Sequence, residues 1–241
     1  MIPGVFVTAT GTDVGKTMCV AGLLRQLLTA GVDCMVMKPV QTGAIRDRHG
    51  RWIAPDIEYV CGAAGLSINA QTLDHVAPYL YQPACSPHLA ARLAGQTIAI
   101  DRIGEHARWL AARHAFLVVE GAGGLMVPLN EQETMLDLIV ALDMPAILVG
   151  HSQLGTINHV QLSIEAMRHR GVKILGVILN DTRPVSASEQ YICDDNVRTI
   201  QAYGKIPVLA RVGYLGCPPD LNRLDACLAG LSPKLIGVRL S

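Results

Sequence analysis

Six short runs of the chain are apolar almost without interruption: Val5–Thr8, Cys34–Lys38, Phe116–Glu120, Ala146–Val149, Lys173–Leu179 and Pro207–Val212. They lack the polar alternation of a half-solvated strand, so each reads as a strand covered on both faces. Between them, Lys16–Thr29, Ile100–Arg113, Thr134–Leu142, Thr156–Arg170 and Glu189–Tyr203 read as helices. In the first, Val20, Leu23, Leu24, Leu27 and Leu28 recur at helical spacing, and the following Ala30-Gly31 gives the usual stop. Strand–helix alternation of this kind predicts an α/β fold: a mostly parallel sheet, flanked by helices on both faces through right-handed crossovers. A chain of 241 residues without internal repeat or linker fits a single such domain, taken as 1–241. Ligands of these sheets bind outside the carboxyl ends of the strands, and that is where candidate residues are sought.

Composition excludes several classes. Half of the residues are hydrophobic and 17% are charged, which fits a compact enzyme-like globule and not a disordered chain. Formal net charge is zero and no basic run occurs, which argues against nucleic acid as a partner. The seven cysteines are scattered without a C-x-x-C pair, as expected for reduced thiols. MIPGVFVTAT has neither the basic start nor the long apolar stretch of a signal peptide, and no apolar run is long enough for a membrane span. A cytoplasmic protein without membrane contact is expected.

The segment VFVTATGTDVGKT runs strand, tight turn, helix, which is the setting of a phosphate-binding loop. Backbone N–H groups of Gly11, Thr12, Asp13, Val14 and Gly15 and the start of the helix would face an anion. Gly15 allows close approach, Lys16 adds a point charge, and the Thr17 hydroxyl suits Mg²⁺. The pattern G-x-x-x-x-G-K-[ST] is nevertheless imperfect, since Thr10 stands where its first glycine belongs. Two other strand ends add to the site. Lys38, leaving the second strand in VMKPVQTG, places a further cation over the phosphates. Glu120, leaving the third in FLVVEGAGG, offers a carboxylate to Mg²⁺. The stretch QTGAIRDRHGRWIAP, 41–55, reads as a long polar loop of the functional kind.

With these strand ends the sequence resembles the dethiobiotin synthetases, phosphate-loop ATP-dependent enzymes of biotin synthesis. The shared features are FVT…T.VGKT at 6–17, KPVQTG at 38–43, Asp56 in APDIEYV, SPH at 86–88, VEGAGG at 119–124, LGTINH at 154–159 and GVILND at 176–181. They run in order to about Pro207. The resemblance implies a P-loop NTPase fold and the substrates 7,8-diaminononanoate, CO₂ and ATP. CO₂ adds to one amine as a carbamate, ATP phosphorylates it, and the second amine closes the ureido ring with loss of phosphate. It also implies that Lys16, Lys38 and Thr42 act on the reacting groups, and that Thr17, Asp56 and Glu120 hold Mg²⁺. The phosphate loop 11–17, Glu120, Gly121, Gly123, Gly124, Asn180 and Pro207 would contact nucleotide, Asn180 at the adenine. Thr12, Lys38, Thr42 and Ser86 would contact the diamine, with Ser86 and Pro87 shaping its loop. Gly155, Thr156, Ile157 and Asn158 would receive the substrate carboxylate from a neighbouring subunit, so a homodimer with shared sites is expected. His88 and His159 read as structural.

The chain departs from the family pattern at Ala9 and Gly11, where glycine and aspartate are usual, whereas Thr10 is a family feature. Asp13 stands where glutamate is frequent, and Gln153 replaces a basic residue ahead of Leu154-Gly155. No acidic ribose contact stands out in PVLARVGYLG. A partition or division-site ATPase would carry an extra lysine near Ala9–Gly11, where this chain has none, and a cobyrinate-type amide synthase would normally carry or recruit a glutaminase, which a chain of this length is not expected to hold. A nucleotide-binding structural module would leave Lys38, Asp56 and Glu120 without a shared task.

Overall fold

The computed structural model describes residues 2–237. In chain order the elements are β1 (Gly4–Ala9), α1 (Lys16–Thr29), β2 (Cys34–Met37), β3 (Val40–Thr42), β4 (Ile45–Arg46), β5 (Trp52–Ile53) and α2 (Pro55–Ala64). Then come α3 (Ala70–Val76), β6 (Tyr79–Tyr81), α4 (Pro87–Leu93), α5 (Ile100–Ala111), β7 (Phe116–Glu120), α6 (Met135–Leu142) and β8 (Ala146–His151). The chain closes with α7 (Thr156–His169), β9 (Ile174–Asn180), α8 (Gln190–Gly204), β10 (Val208–Val212), α9 (Leu221–Leu228) and α10 (Leu231–Gly237).

The main sheet is six-stranded, in the order β10-β9-β8-β1-β7-β2, and all its pairings are parallel. Its six strands are the six apolar runs, with ends moved by a residue or two. Central β1 and β7 are buried at every position, as strands covered on both faces must be. On α1, Val20, Leu23, Leu24 and Leu27 are fully buried, so its apolar stripe faces the core. The α6 helix starts at a capping box: Thr134 accepts from the Asp137 N–H while Asp137 accepts from the Thr134 N–H.

The stretch 41–55 is not the open loop its polarity suggested. It completes β3, which pairs with β6 from Val40↔Tyr79 to Thr42↔Tyr81, and then forms the β4–β5 hairpin. Arg46 over the Trp52 ring, 3.9 Å from its centroid, and the Asp47–Arg51 ion pair at 2.8 Å tie that hairpin together. The first is a cross-strand contact and the second ties the turn, and periodicity reveals neither. Helices α2, α3 and α4 also lie outside the sequence expectation; α3 and α4 are too short to show a clear apolar period, whereas α2 does bury Ile57, Val60 and Cys61 at helical spacing.

Candidate active site

β1 ends at Ala9, and the Thr10 N–H continues the ladder by donating to the Val149 carbonyl at 2.9 Å. The chain then turns through Asp13, at φ 58°, and Gly15, at φ 89°, into α1. Gly15 is needed twice over, because its φ is left-handed and a Cβ there would collide with the Asn180 amide. Gly11 is different: a Cβ at that position would meet nothing within 4 Å. The missing acid at position 11 is therefore not a steric requirement of this turn. Its carbonyl accepts from Lys16 Nζ at 3.3 Å.

Two further strand ends meet beside this turn. Glu120 closes β7 and is 1% exposed; its Oε1 accepts from Thr17 Oγ1 at 2.7 Å and from Lys38 Nζ at 2.6 Å. Lys38, one residue past β2, also reaches Asp56 Oδ2 on the first turn of α2 at 2.6 Å. Its backbone N–H donates to the Val76 carbonyl at 2.7 Å, fixing where it leaves the sheet. One buried ammonium thus bridges two carboxylates from separate elements. Burial alone opposes the charge on Lys38, but Glu120 and Asp56 more than offset it and hold its pKa above the ordinary lysine range. Lys16 has no such pairing. Burial, reinforced by Lys38, pushes its pKa down to about 8 against the pull of Glu120, Asp56 and Asp13.

The resulting cleft has a volume of about 880 Å³. Among the residues expected at the site, Thr12, Asp13, Gly15, Lys16, Thr17, Lys38, Thr42, Asp56, Ser86, Glu120 and Gly123 line it together. Val14 is buried behind the turn, with its carbonyl accepting from Asn180 Nδ2 at 3.0 Å; Asn180 Oδ1 is buried without a partner. Gly121 is buried under the cleft, with its carbonyl 3.5 Å from Lys38 Nζ. Gly124 packs close to the Ala9 carbonyl and, with Gly11, lines a separate groove against α7. Gly155, Thr156, Ile157 and Asn158 do not line the cleft; Gly155, at φ 95°, is the N-cap of α7 and the other three start it.

Pro207 is not brought to this cleft. It precedes β10, at the amino end of the sheet, where its carbonyl accepts from the Val177 N–H at 2.9 Å. There it lines an apolar cavity with Ile147, Leu175 and Leu209. A parallel strand carries its first and last residues to opposite faces of the molecule, so proximity in sequence to the site-facing end of β10 was misleading. Residues that line the cleft but escaped sequence reasoning include Gln41, Tyr59, Cys85 and Pro219. Gln41 sits inside KPVQTG, so its position was visible, but nothing in its residue type marked it.

The donor set of the cleft suits a divalent cation. Thr17, Glu120 and Asp56 offer a hydroxyl and two carboxylates, all hard oxygens. Glu120 Oε2 is buried with no hydrogen-bond partner, as expected of an oxygen reserved for another ligand. Among the described residues, no three His, Cys, Asp or Glu side chains cluster as a metal cage. The oxygens present fit Mg²⁺, which keeps waters and binds through one or two carboxylates plus phosphate.

A parallel sheet of this order with a strand–turn–GKT helix at its centre defines a P-loop NTPase-type α/β protein. A family model described as "AAA domain" matches residues 3–217. MinD cell division protein of Aquifex aeolicus shares the fold, with a TM-score of 0.58, 12% identity and 97% of each chain covered. ATP-dependent dethiobiotin synthetase BioD of Anaeromyxobacter dehalogenans (strain 2CP-C) is 42% identical over 75% of this chain and 78% of its own. The counterpart in Anoxybacillus flavithermus (strain DSM 21510 / WK1) is 37% identical over 88% of this chain and 92% of its own. This chain belongs to the ATP-dependent dethiobiotin synthetase family.

Proposed function

We propose that the chain is a dethiobiotin synthase, a C–N-bond-forming ligase that converts 7,8-diaminononanoate, CO₂ and ATP to dethiobiotin, ADP and phosphate. The observation that carries this reading is the meeting of Lys16, Thr17, Lys38, Asp56 and Glu120 in one cleft, in a chain of this family.

The chemistry follows from the charges. Carbamate formation and attack of the carbamate oxygen on the γ-phosphorus bring two anions together, so catalysis is mainly positioning and charge stabilisation. Lys16, poised by burial, becomes favourable once a phosphate lies against it. Lys38 faces the carbamate and the transferring phosphoryl group. Thr42, at the end of β3, supplies a hydroxyl beside the reacting nitrogen, and Ser86, at the N-cap of α4, lines the same cleft. Ring closure then expels phosphate as the second amine attacks the carbonyl carbon of the carbamic-phosphoric anhydride. Thr17, Asp56 and Glu120 would hold Mg²⁺, which neutralises charge on the β- and γ-phosphates. The unpartnered Oδ1 of Asn180 suits the exocyclic amine of adenine.

The start of α7 lies outside the cleft; just before it Leu154 is 82% exposed, and Leu162, further along α7, and Met126, which shares a groove with Leu162, are 63% and 68% exposed. A homodimer in which the Gly155–Asn158 N–H groups receive the carboxylate of the neighbouring subunit's substrate accounts for both facts. No described helix is long and apolar enough to cross a membrane, in keeping with a cytoplasmic enzyme. The test is mass-spectrometric detection of dethiobiotin carrying carbon from isotopically labelled bicarbonate. Absence of labelled product with all substrates present overturns the reading.

A further inference from the structure

Helix α2 begins without a local cap. Its N-cap is Ala54, which has no side-chain acceptor, and Pro55 follows it. Asp56, the second helical residue, therefore has an N–H that a Ser, Thr, Asn or Asp at the cap would ordinarily satisfy. The acceptor comes from elsewhere: Gln41 Oε1 on β3, 3.3 Å from the Asp56 nitrogen. The other end of the same amide donates from Nε2 to the Thr42 carbonyl at 2.8 Å. Gln41 is 4% exposed and its backbone lies in the β3–β6 ladder opposite Leu80, so the side chain projects from a fixed base.

One side chain thus closes the neck of the excursion between Thr42 and Asp56, and both of those residues line the cleft. The β4–β5 hairpin hangs from that neck. Lys38 holds the Asp56 carboxylate; Gln41 holds the backbone that carries it. We infer that Gln41 is a positioning residue, which fixes Asp56 relative to Thr42 so that the carboxylate meets the nucleotide-bound Mg²⁺. The inference rests on the metal role of Asp56 proposed above.

The test uses the full chain with a non-hydrolysable ATP analogue, titrating Mg²⁺ by calorimetry, alongside thermal melting and steady-state kinetics. Gln41→Met keeps length and bulk but removes both polar ends. It is expected to weaken Mg²⁺ binding about tenfold or more, the usual result of losing a group that orients a metal ligand, with kcat lowered and KM for the diamine little changed. Ala54→Ser on the Gln41→Met background gives the Asp56 N–H a local acceptor and is expected to regain most of the Mg²⁺ affinity. Asp56→Asn is run in parallel. Weak Mg²⁺ binding in Asp56→Asn with wild-type binding in Gln41→Met overturns the inference and leaves the metal reading standing. Wild-type binding in both overturns the metal role of Asp56 and the inference with it. A drop in melting temperature in Gln41→Met with unchanged Mg²⁺ affinity assigns Gln41 to the fold alone and overturns it. Failure of Ala54→Ser to restore binding overturns the capping route.

Discussion

Lys38 Nζ and Glu120 Oε1 lie 2.6 Å apart, one leaving β2 and the other ending β7, and the carboxylate oxygen that takes the ammonium also takes the Thr17 hydroxyl. These two strands are hydrogen-bonded neighbours, in register from Cys34↔Phe116 to Met37↔Val119. The sheet therefore delivers the pair to the cleft as a unit, and the site inherits its precision from backbone pairing.

Replacing Lys38 by Met leaves Glu120 and Asp56 without their shared cation. Removing one partner of a buried pair costs about 3–5 kcal/mol, so the ligand-free protein melts lower. Diamine-dependent ADP release is expected to fall at least about a hundredfold. A coupled ADP assay with a melting curve checks both; wild-type turnover would remove Lys38 from the mechanism.

Lys16→Met is expected to have opposite effects on stability and activity. The Lys16 pKa is lowered to about 8, so at neutral pH the fold bears the cost of a buried charge. That cost is present in full below the folded pKa and disappears as pH rises towards the unfolded value. Lys16→Met is expected to stabilise the ligand-free chain at pH about 7 by on the order of 1–3 kcal/mol while abolishing ATP-dependent turnover. Denaturant unfolding beside the activity assay checks this, and the stabilisation should shrink at about pH 10.

The sequence showed the sheet and the cleft's cations for a physical reason. Strands buried on both faces are apolar throughout, and the motifs VGKT, KPVQTG and VEGAGG sit where such strands end. What it concealed depends on contacts between distant residues. Gln41 reaching Asp56, Asn180 reaching the Val14 carbonyl, and Lys38 joining two carboxylates have no local signature. Pro207 lies away from the cleft because its strand begins, and does not end, beside it.

His75 and His106 bring their Nδ1 atoms within 2.9 Å between α3 and α5, with His75 stacked on Trp109 at 3.7 Å. Burial, then His75 and Arg102, hold the His106 pKa below its usual value, against Glu105 and Asp74. As pH falls the unfolded chain binds this proton first, so native stability drops as pH falls through the ordinary histidine range of about 6.5 and below. His106→Asn should flatten the stability profile over that window, measured by urea unfolding at each pH.

Thiol labelling should sort the cysteines by environment. Burial pushes Cys19 and Cys34 up to about 12 and Cys61 to about 11, so these stay as unreactive thiols in the native protein. Exposed Cys217 should react first with iodoacetamide, and Cys85, which lines the cleft beside Ser86, should be slowed by bound diamine. Peptide mapping against time reads both, and rapid native labelling of Cys19 would contradict the packing of α1.

The proposed reaction couples ATP cleavage in this cleft to carboxylation of a diamine. The most direct measurement is Mg²⁺-dependent ADP release with 7,8-diaminononanoate and bicarbonate, omitting each in turn. Release that requires both, and yields dethiobiotin in equal amount, is the predicted result; ADP release indifferent to the diamine would contradict it.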